Sequence, residues 1–318
     1  MDVKENKGLR RVLIDTDTGS DDVWAIIEAL RATDIVRVEA ITVVCGNLPL
    51  DLCVKNAMLA VDAAGTYAPP VYRGMEYPLV NPEAFYAHDV HGEDGLGGMN
   101  LPPSRRPVER KHAVDAIIAL VMASPGEIEI VTCGPLTNLA AALQKEPQLG
   151  KNIKKIWILG GSASGIGNMT PNAEFNIYAD PEAADIVLRA EMNTVWVTWD
   201  SAVGNTEITP DEVAQMINSG DSAAIFCARC THTLREYYQN TYGRDTFAVI
   251  DSLVMTAALF PEIMEGVFRT NCTIELSQEA MRGFFRMVPD LTPNAAVCPA
   301  VNAARFKKHL FTLLGVCN

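Results

Sequence analysis

Between Asp15 and Asp22 the chain reads Asp15-Thr16-Asp17-Thr18-Gly19-Ser20-Asp21-Asp22, and no Lys, Arg or His interrupts its four carboxylates. Carboxylates held this close repel, and one must take up a proton unless a cation compensates. A hard divalent ion with oxygen ligands, Ca²⁺ or Mg²⁺, suits such a cluster and can activate water at neutral pH. Asp21 and Asp22 have a plainer role open to them, at the start of the helix expected over residues 23–32, with Ser20 or Asp21 as cap. That role leaves Asp15 and Asp17 unexplained.

A second segment, Gly167-Asn168-Met169-Thr170-Pro171-Asn172-Ala173-Glu174-Phe175-Asn176, mixes amides with an acid. Asn168, Glu174 and Asn176 offer the donors and acceptors that a polyhydroxyl ligand such as ribose requires, although an Asn-rich loop is also an ordinary turn. Asp251 heads a helical run over residues 252–260, where a lone acid reads as a cap. Cys227-Ala228-Arg229-Cys230 has redox or zinc spacing, but it falls in a helical stretch with no second pair and reads as ordinary thiols.

The elements that position these residues alternate. Strands are expected over residues 11–14, 38–44, 128–132, 155–159 and 194–199, and helices over 23–32, 52–64, 113–123, 136–144 and 181–189. This pattern predicts a single α/β domain spanning 1–318, Rossmann-like, with a mostly parallel sheet flanked by helices. Ligands in such sheets bind beyond the carboxyl ends of the strands. Small, polar and acidic residues do follow the strands: Asp15 and Asp17, Cys45-Gly46-Asn47, Cys133-Gly134-Pro135, Gly160-Gly161-Ser162, and Asp200. Two connections exceed ordinary loops. Residues 78–107 carry His88, His91 and several glycines, and residues 207–247 form a helical insertion with Tyr237, Tyr238, Tyr242 and Arg244, suited to a lid.

A net charge of −13 argues against a nucleic-acid backbone or an anionic membrane as partner. No apolar run reaches membrane-spanning length, and Met1 to Arg11 lacks the apolar core of a secretory signal. Eight cysteines scattered through a long chain, Cys317 among them, fit reduced thiols in a cytoplasmic compartment better than a disulfide framework.

The run from Asp15 to Asp22 closely resembles the DxDxGxDD signature of the inosine-uridine-preferring nucleoside hydrolases. Gly134-Pro135-Leu136-Thr137-Asn138, Gly167-Asn168, Ala173-Glu174-Phe175-Asn176 and Asp180-Pro181-Glu182-Ala183-Ala184 match the family's other motifs in the same order. The resemblance implies Ca²⁺-dependent hydrolysis of the N-glycosidic bond of ribonucleosides. It implies Asp17, Asp22, Asp251 and the main-chain carbonyl of Cys133 as metal ligands, with Asp17 also the general base towards the attacking water. Asp21, Asn47, Asn168, Glu174 and Asn176 would hold the ribose hydroxyls, and Asp15 would orient the acid loop. A homodimer or homotetramer and a role in nucleoside salvage are implied in the same way.

One position departs from the family pattern. Many members carry His before the last calcium-binding Asp as the leaving-group acid, and the purine-specific branch carries Trp; here the pair is Ile250-Asp251. Isoleucine donates no proton. A purine, which can be protonated on its imidazole ring, tolerates that loss better than uridine does, so inosine and guanosine are the expected substrates. His91, which matches the family's HG segment, Tyr238 and Arg244 are the candidate replacements on the base side. A broad-specificity or pyrimidine nucleoside hydrolase is the alternative within the family, and two readings outside it compete. In a haloacid-dehalogenase-type phosphatase Asp15 is the nucleophile and Asp17 the acid, with Mg²⁺, leaving Asp21, Asp22 and the Asn168–Asn176 segment unused. A non-catalytic nucleoside-binding protein would need no general base at Asp17.

Overall fold

Consecutive residues of β1 (Arg10–Thr16) face opposite sides of the sheet, and both sides are buried from Val12 onward. Val12 and Ile14 join one apolar cluster while Leu13 joins the other, so this strand sits between two cores. The computed structural model describes residues 8–81, 83–277 and 279–316; Met1–Lys7 and Cys317 lie outside the described residues.

After β1 come β2 (Val36–Val43), β3 (Val71–Arg73), β4 (Ile128–Thr132), β5 (Lys155–Leu159) and β6 (Thr194–Val197). The remaining strands are β7 (Met264–Glu265), β8 (Phe268–Ile274), β9 (Phe285–Val288), β10 (Ala295–Cys298) and β11 (Ala300–Val301). One sheet has the order β3-β2-β1-β4-β5-β6-β10-β8-β9, and β11 and β7 form a separate two-stranded ladder. Every pairing from β3 to β10 is parallel, whereas β8 pairs antiparallel with both β10 and β9. Helices cover both faces, as expected of an α/β domain with a mostly parallel sheet.

The strand order reverses between β1 and β4, and the crossovers on the two sides diverge there. That divergence opens a crevice at the carboxyl ends. Register fixes what meets in it. Asp15 lies opposite Thr42 of β2 and Thr132 of β4, which brings the acid loop after β1 beside Cys45-Gly46-Asn47 and Cys133-Gly134.

Element limits differ from expectation by a residue or two: the first helix runs Asp22–Arg31 and the second Leu50–Ala64. The insertion over 207–247 is three helices, Pro210–Asn218, Ser222–Cys230 and His232–Tyr242. The strand expected to reach Trp199 stops at Val197, and Trp199 opens a short 3-10 helix, which turns its indole towards the crevice. Strands β3 and β7 to β11 are additions beyond the expected set. Among the described residues no helix is long and apolar enough to cross a membrane.

Candidate active site

The acid loop leaves β1 and closes on its own backbone before the helix Asp22–Arg31 begins. Asp22 accepts from Thr16 Oγ1 at 2.6 Å and from the Gly19 amide at 2.8 Å, which folds Thr16–Asp22 into a tight turn. Asp17 accepts from the Asn47 amide at 2.7 Å, and Asn47 Nδ2 reaches Asp22 Oδ2 at 3.2 Å. Gly46 and Gly134 flank Asp17 so closely that a Cβ at either would collide with its carboxylate. Asp15 points away from this group. Its Oδ1 accepts from Thr42 Oγ1 at 2.5 Å and Asn138 Nδ2 at 2.8 Å, and it does not line the cavity. That placement sets Asp15 between Thr42 and Asn138 rather than at the cavity.

Asp251 arrives on the helix Ile250–Leu259, across the crevice from the acid loop. Asp22, Cys133 and Asp251 bring ligand-type side-chain atoms within 4.8 Å of one another, and all three residues are buried. Asp17 Oδ1, Asp21 Oδ1 and Asp251 Oδ1 are buried with no hydrogen-bond partner. Orphaned buried oxygens are costly unless a cation, a proton or a water satisfies them. The side chains present therefore fit a divalent cation held by oxygen. The Cys133 carbonyl accepts from Asn176 Nδ2 at 2.8 Å and keeps a second lone pair, while its thiol is the atom within reach of Asp22 and Asp251.

The electrostatics agree. Burial and the neighbouring Asp22 charge hold Asp17 well above the usual carboxylate range, and burial with Asp22 and Asp21 does the same for Asp251. Asp21 and Asp22 are pushed up to about 6, mainly by burial. Asp21 is among the neighbouring charges that raise Asp251, as expected of acids crowded at one site. A bound cation reverses these shifts by favouring the charged forms.

Above the cluster opens a cavity of about 340 Å³. Of the residues anticipated from sequence, Asp21, Asn47, His91, Cys133, Asn168, Glu174, Asn176, Tyr238, Ile250 and Asp251 line it. Asp17 and Asp22 do not line it themselves but are hydrogen-bonded to Asn47, which does. Glu174 caps the helix Phe175–Ala179, accepting from the Asn176, Ile177 and Gly161 amides; burial still pushes it up to about 7. Asn168 Oδ1 accepts from the Phe175 amide at 2.9 Å, leaving its Nδ2 as a donor. Asn47 and Asn176 spend their Nδ2 groups on Asp22 and Cys133, leaving their Oδ1 atoms as acceptors.

Arg244 is not brought to the cavity, which corrects the expectation that it faces the base. Its guanidinium pairs with the buried Glu207 at 2.9 Å, outside the cavity lining. Tyr238 lines the cavity and is buried, which pushes its phenol above its usual range. Cys227 and Cys230 are buried, reduced thiols; Cys230 donates to the Ser20 carbonyl at 3.3 Å. Sequence reasoning missed Tyr86, Phe175, Met169 and Trp199 as part of the wall, and placed Tyr237 and Tyr242 on a lid without giving them a part in it. The available signal was aromatic residues in long connections next to the rim.

The profile of the family described as "inosine-uridine preferring nucleoside hydrolase" matches residues 12–308. A protein of Oryza sativa subsp. japonica, named probable uridine nucleosidase 2, is 35% identical over 254 residues, covering 79% of this chain and 74% of the rice protein. A solved plant nucleoside hydrolase, PpNRh1, superimposes with a TM-score of 0.92 at 30% identity, covering 98% of this chain and 100% of the other. A purine-preferring ribonucleoside hydrolase from Gardnerella vaginalis gives a TM-score of 0.89 at 28% identity, covering 96% and 98%. With the acid loop, the strand order and the match over nearly the whole chain in agreement, this chain is an enzyme of the inosine-uridine-preferring nucleoside hydrolase family.

Proposed function

We propose that this chain hydrolyses the N-glycosidic bond of ribonucleosides to free base and ribose, with Ca²⁺ held by Asp17, Asp22, Asp251 and the Cys133 carbonyl. The observation that carries the proposal is the buried set Asp22, Cys133 and Asp251, with ligand-type atoms within 4.8 Å of one another at a cavity lined with amides, together with buried unpartnered oxygens on Asp17 and Asp251. When bound, the cation supplies Lewis acidity that makes water a nucleophile at neutral pH.

The chain's own groups do the rest. Asp17 is held rigid by the Asn47 amide and by its two glycine neighbours, so its free Oδ1 can accept the proton of an attacking water without reorganising. Asn47 and Asn176 present carbonyl oxygens, Asp21 a carboxylate and Asn168 an amide donor, a complement suited to ribose hydroxyls. As the bond to the base breaks, positive charge grows on the ribose ring. The surrounding acids stabilise it more than they stabilise the neutral nucleoside.

On the base side Ile250 lines the cavity and donates nothing. The base is walled by aromatic side chains: Tyr86, Phe175, Trp199, Tyr237, Tyr238 and Tyr242. We read this surface, with no protonated imidazole at residue 250, as favouring a purine that takes its proton on its own imidazole ring. The name of the rice relative favours a second reading, uridine hydrolysis, with the tyrosine hydroxyls addressing the uracil oxygens. Initial rates on inosine, guanosine, adenosine and uridine separate the two: purines ahead supports the first, uridine ahead the second. Binding of inosine without release of ribose would instead indicate a nucleoside-binding protein. A cytoplasmic dimer or tetramer acting in salvage goes with this reading, and light scattering on the purified protein tests the assembly.

A further inference from the structure

One buried acid has no part in the chemistry above. Glu28 lies on the helix Asp22–Arg31 and is fully buried. Its Oε1 accepts from the Ser252 hydroxyl and its Oε2 from Thr256 Oγ1, the latter at 2.6 Å. Ser252 directly follows Asp251, and Ser252 and Thr256 stand one turn apart on the same face of the helix Ile250–Leu259. The two helices joined by this carboxyl each deliver one acid, Asp22 and Asp251, to the cation cluster.

Burying a carboxyl between helices costs free energy that an apolar side chain of similar size would not. Apolar packing is non-directional and permits one helix to slide along another, whereas two hydrogen bonds to hydroxyls one turn apart permit one register. Fixing register is the best-attested return on a buried polar group. We propose that Glu28 is a positioning residue for the cation site, setting the separation of Asp22 and Asp251 by clamping Ser252 and Thr256. Burial pushes Glu28 up to about 8, so at physiological pH the clamp works mainly as a neutral acid, accepting from one hydroxyl and donating its own O–H to the other. Glutamine reproduces that neutral form in shape and in hydrogen bonding.

The proposal rests on the cation reading, and calorimetric titration of Ca²⁺ into the metal-depleted full-length protein separates the two. Wild type is expected to bind one Ca²⁺. Glu28→Leu is expected to bind it roughly tenfold more weakly, the usual cost of losing a group that orients metal ligands, while the Tm of its metal-free form is equal or higher. Glu28→Gln is expected to stay within about twofold of wild type, and the double variant Ser252→Ala/Thr256→Val to weaken binding as Glu28→Leu does. Adding Glu28→Leu to that double variant is expected to cost nothing further, because both remove the same interaction. Unchanged affinity in Glu28→Leu and in the double variant overturns the clamp. So does a loss of Tm and affinity together that Glu28→Gln fails to rescue, since that is the signature of packing alone. Absence of Ca²⁺ binding in wild type overturns the cation reading itself.

Discussion

Ser20 Oγ lies 2.9 Å from His91 Nδ1, and the Ser20 amide donates to the same nitrogen at 3.2 Å. Nδ1 is therefore an acceptor, and the ring proton resides on Nε2, the one polar atom left to the cavity that His91 lines. Burial pushes His91 down to about 4, with the nearby Asp22 charge opposing. Its imidazole is thus a neutral hydrogen-bond donor at the working pH, not an imidazolium acid. The pH profile of kcat/KM is expected to show no fall with an apparent pKa near 6 to 7 that disappears in His91→Gln. Ser20→Ala removes the hydroxyl half of the lock, and a loss of about fivefold in kcat/KM is expected, the worth of one hydrogen bond of ~1 kcal/mol.

Asp17 depends on two glycines for its place. Neither Gly46 nor Gly134 has a positive φ, so alanine fits the backbone at both sites and its effect is purely steric. Gly134→Ala and Gly46→Ala are each expected to lower kcat/KM by about 100-fold through misplacement of Asp17. Gly98 provides the contrast. It has φ +79 and nothing within 4 Å of an added Cβ, so Gly98→Ala is expected to cost ~1 kcal/mol in denaturant unfolding and leave kinetics unchanged.

Stability of the metal-free enzyme is expected to fall as pH rises from about 6.5 to 8.5. Glu28 is pushed up to about 8 and Glu174 to about 7, so the folded state keeps protons there that the unfolded state has already released. A group with a raised pKa contributes stability below its unfolded value and loses it as pH climbs through the folded one, at up to ~1.4 kcal/mol per pH unit. His91 works the other way, but only between about 4 and its unfolded value near 6.5, so it is silent in this window. Thermal melts across the range check the sign. Glu28→Gln should make the slope shallower without abolishing it, because Asp15, Asp17 and Asp251 are raised as well, and a Tm that rises over the same range would contradict the assignment.

Arg244 and Trp199 should behave oppositely. Arg244 serves Glu207 outside the cavity, so Arg244→Ala is expected to keep kcat/KM within about twofold and to lower Tm. Trp199 lines the base-side wall, so Trp199→Ala is expected to raise KM about tenfold with little change in Tm, the loss of a large aromatic contact. Steady-state kinetics beside thermal melts distinguish the two patterns.

The acid loop, the parallel centre of the sheet and the Asn168–Asn176 segment were legible because each is local: a charge cluster, an apolar run ending in small residues, a string of amides. What escaped was set by distant pairing. Strand β3 is three residues long, and β10 is the four-residue run Ala295-Ala296-Val297-Cys298 whose identity comes from lying beside β6. Such short segments carry no periodicity of their own. Asp251 read as a helix cap from its local context because the residues that the fold brings within 4.8 Å of it, Asp22 and Cys133, lie far away in sequence. Arg244 was misplaced for the mirror-image reason: nothing near it in sequence announces Glu207. The base-side wall is assembled from five separate connections and helices, and only the fold brings Tyr86, Trp199 and Tyr242 to one cavity.

The most direct test of the central claim is release of ribose from inosine and uridine by chelator-treated enzyme as Ca²⁺ is returned in steps, with Asp17→Asn run in parallel. Activity should be absent from the metal-free protein, recover to a plateau at one Ca²⁺ per chain, and stay at least about 1,000-fold lower in Asp17→Asn. Ribose release that survives chelation, or that Asp17→Asn leaves intact, would contradict it.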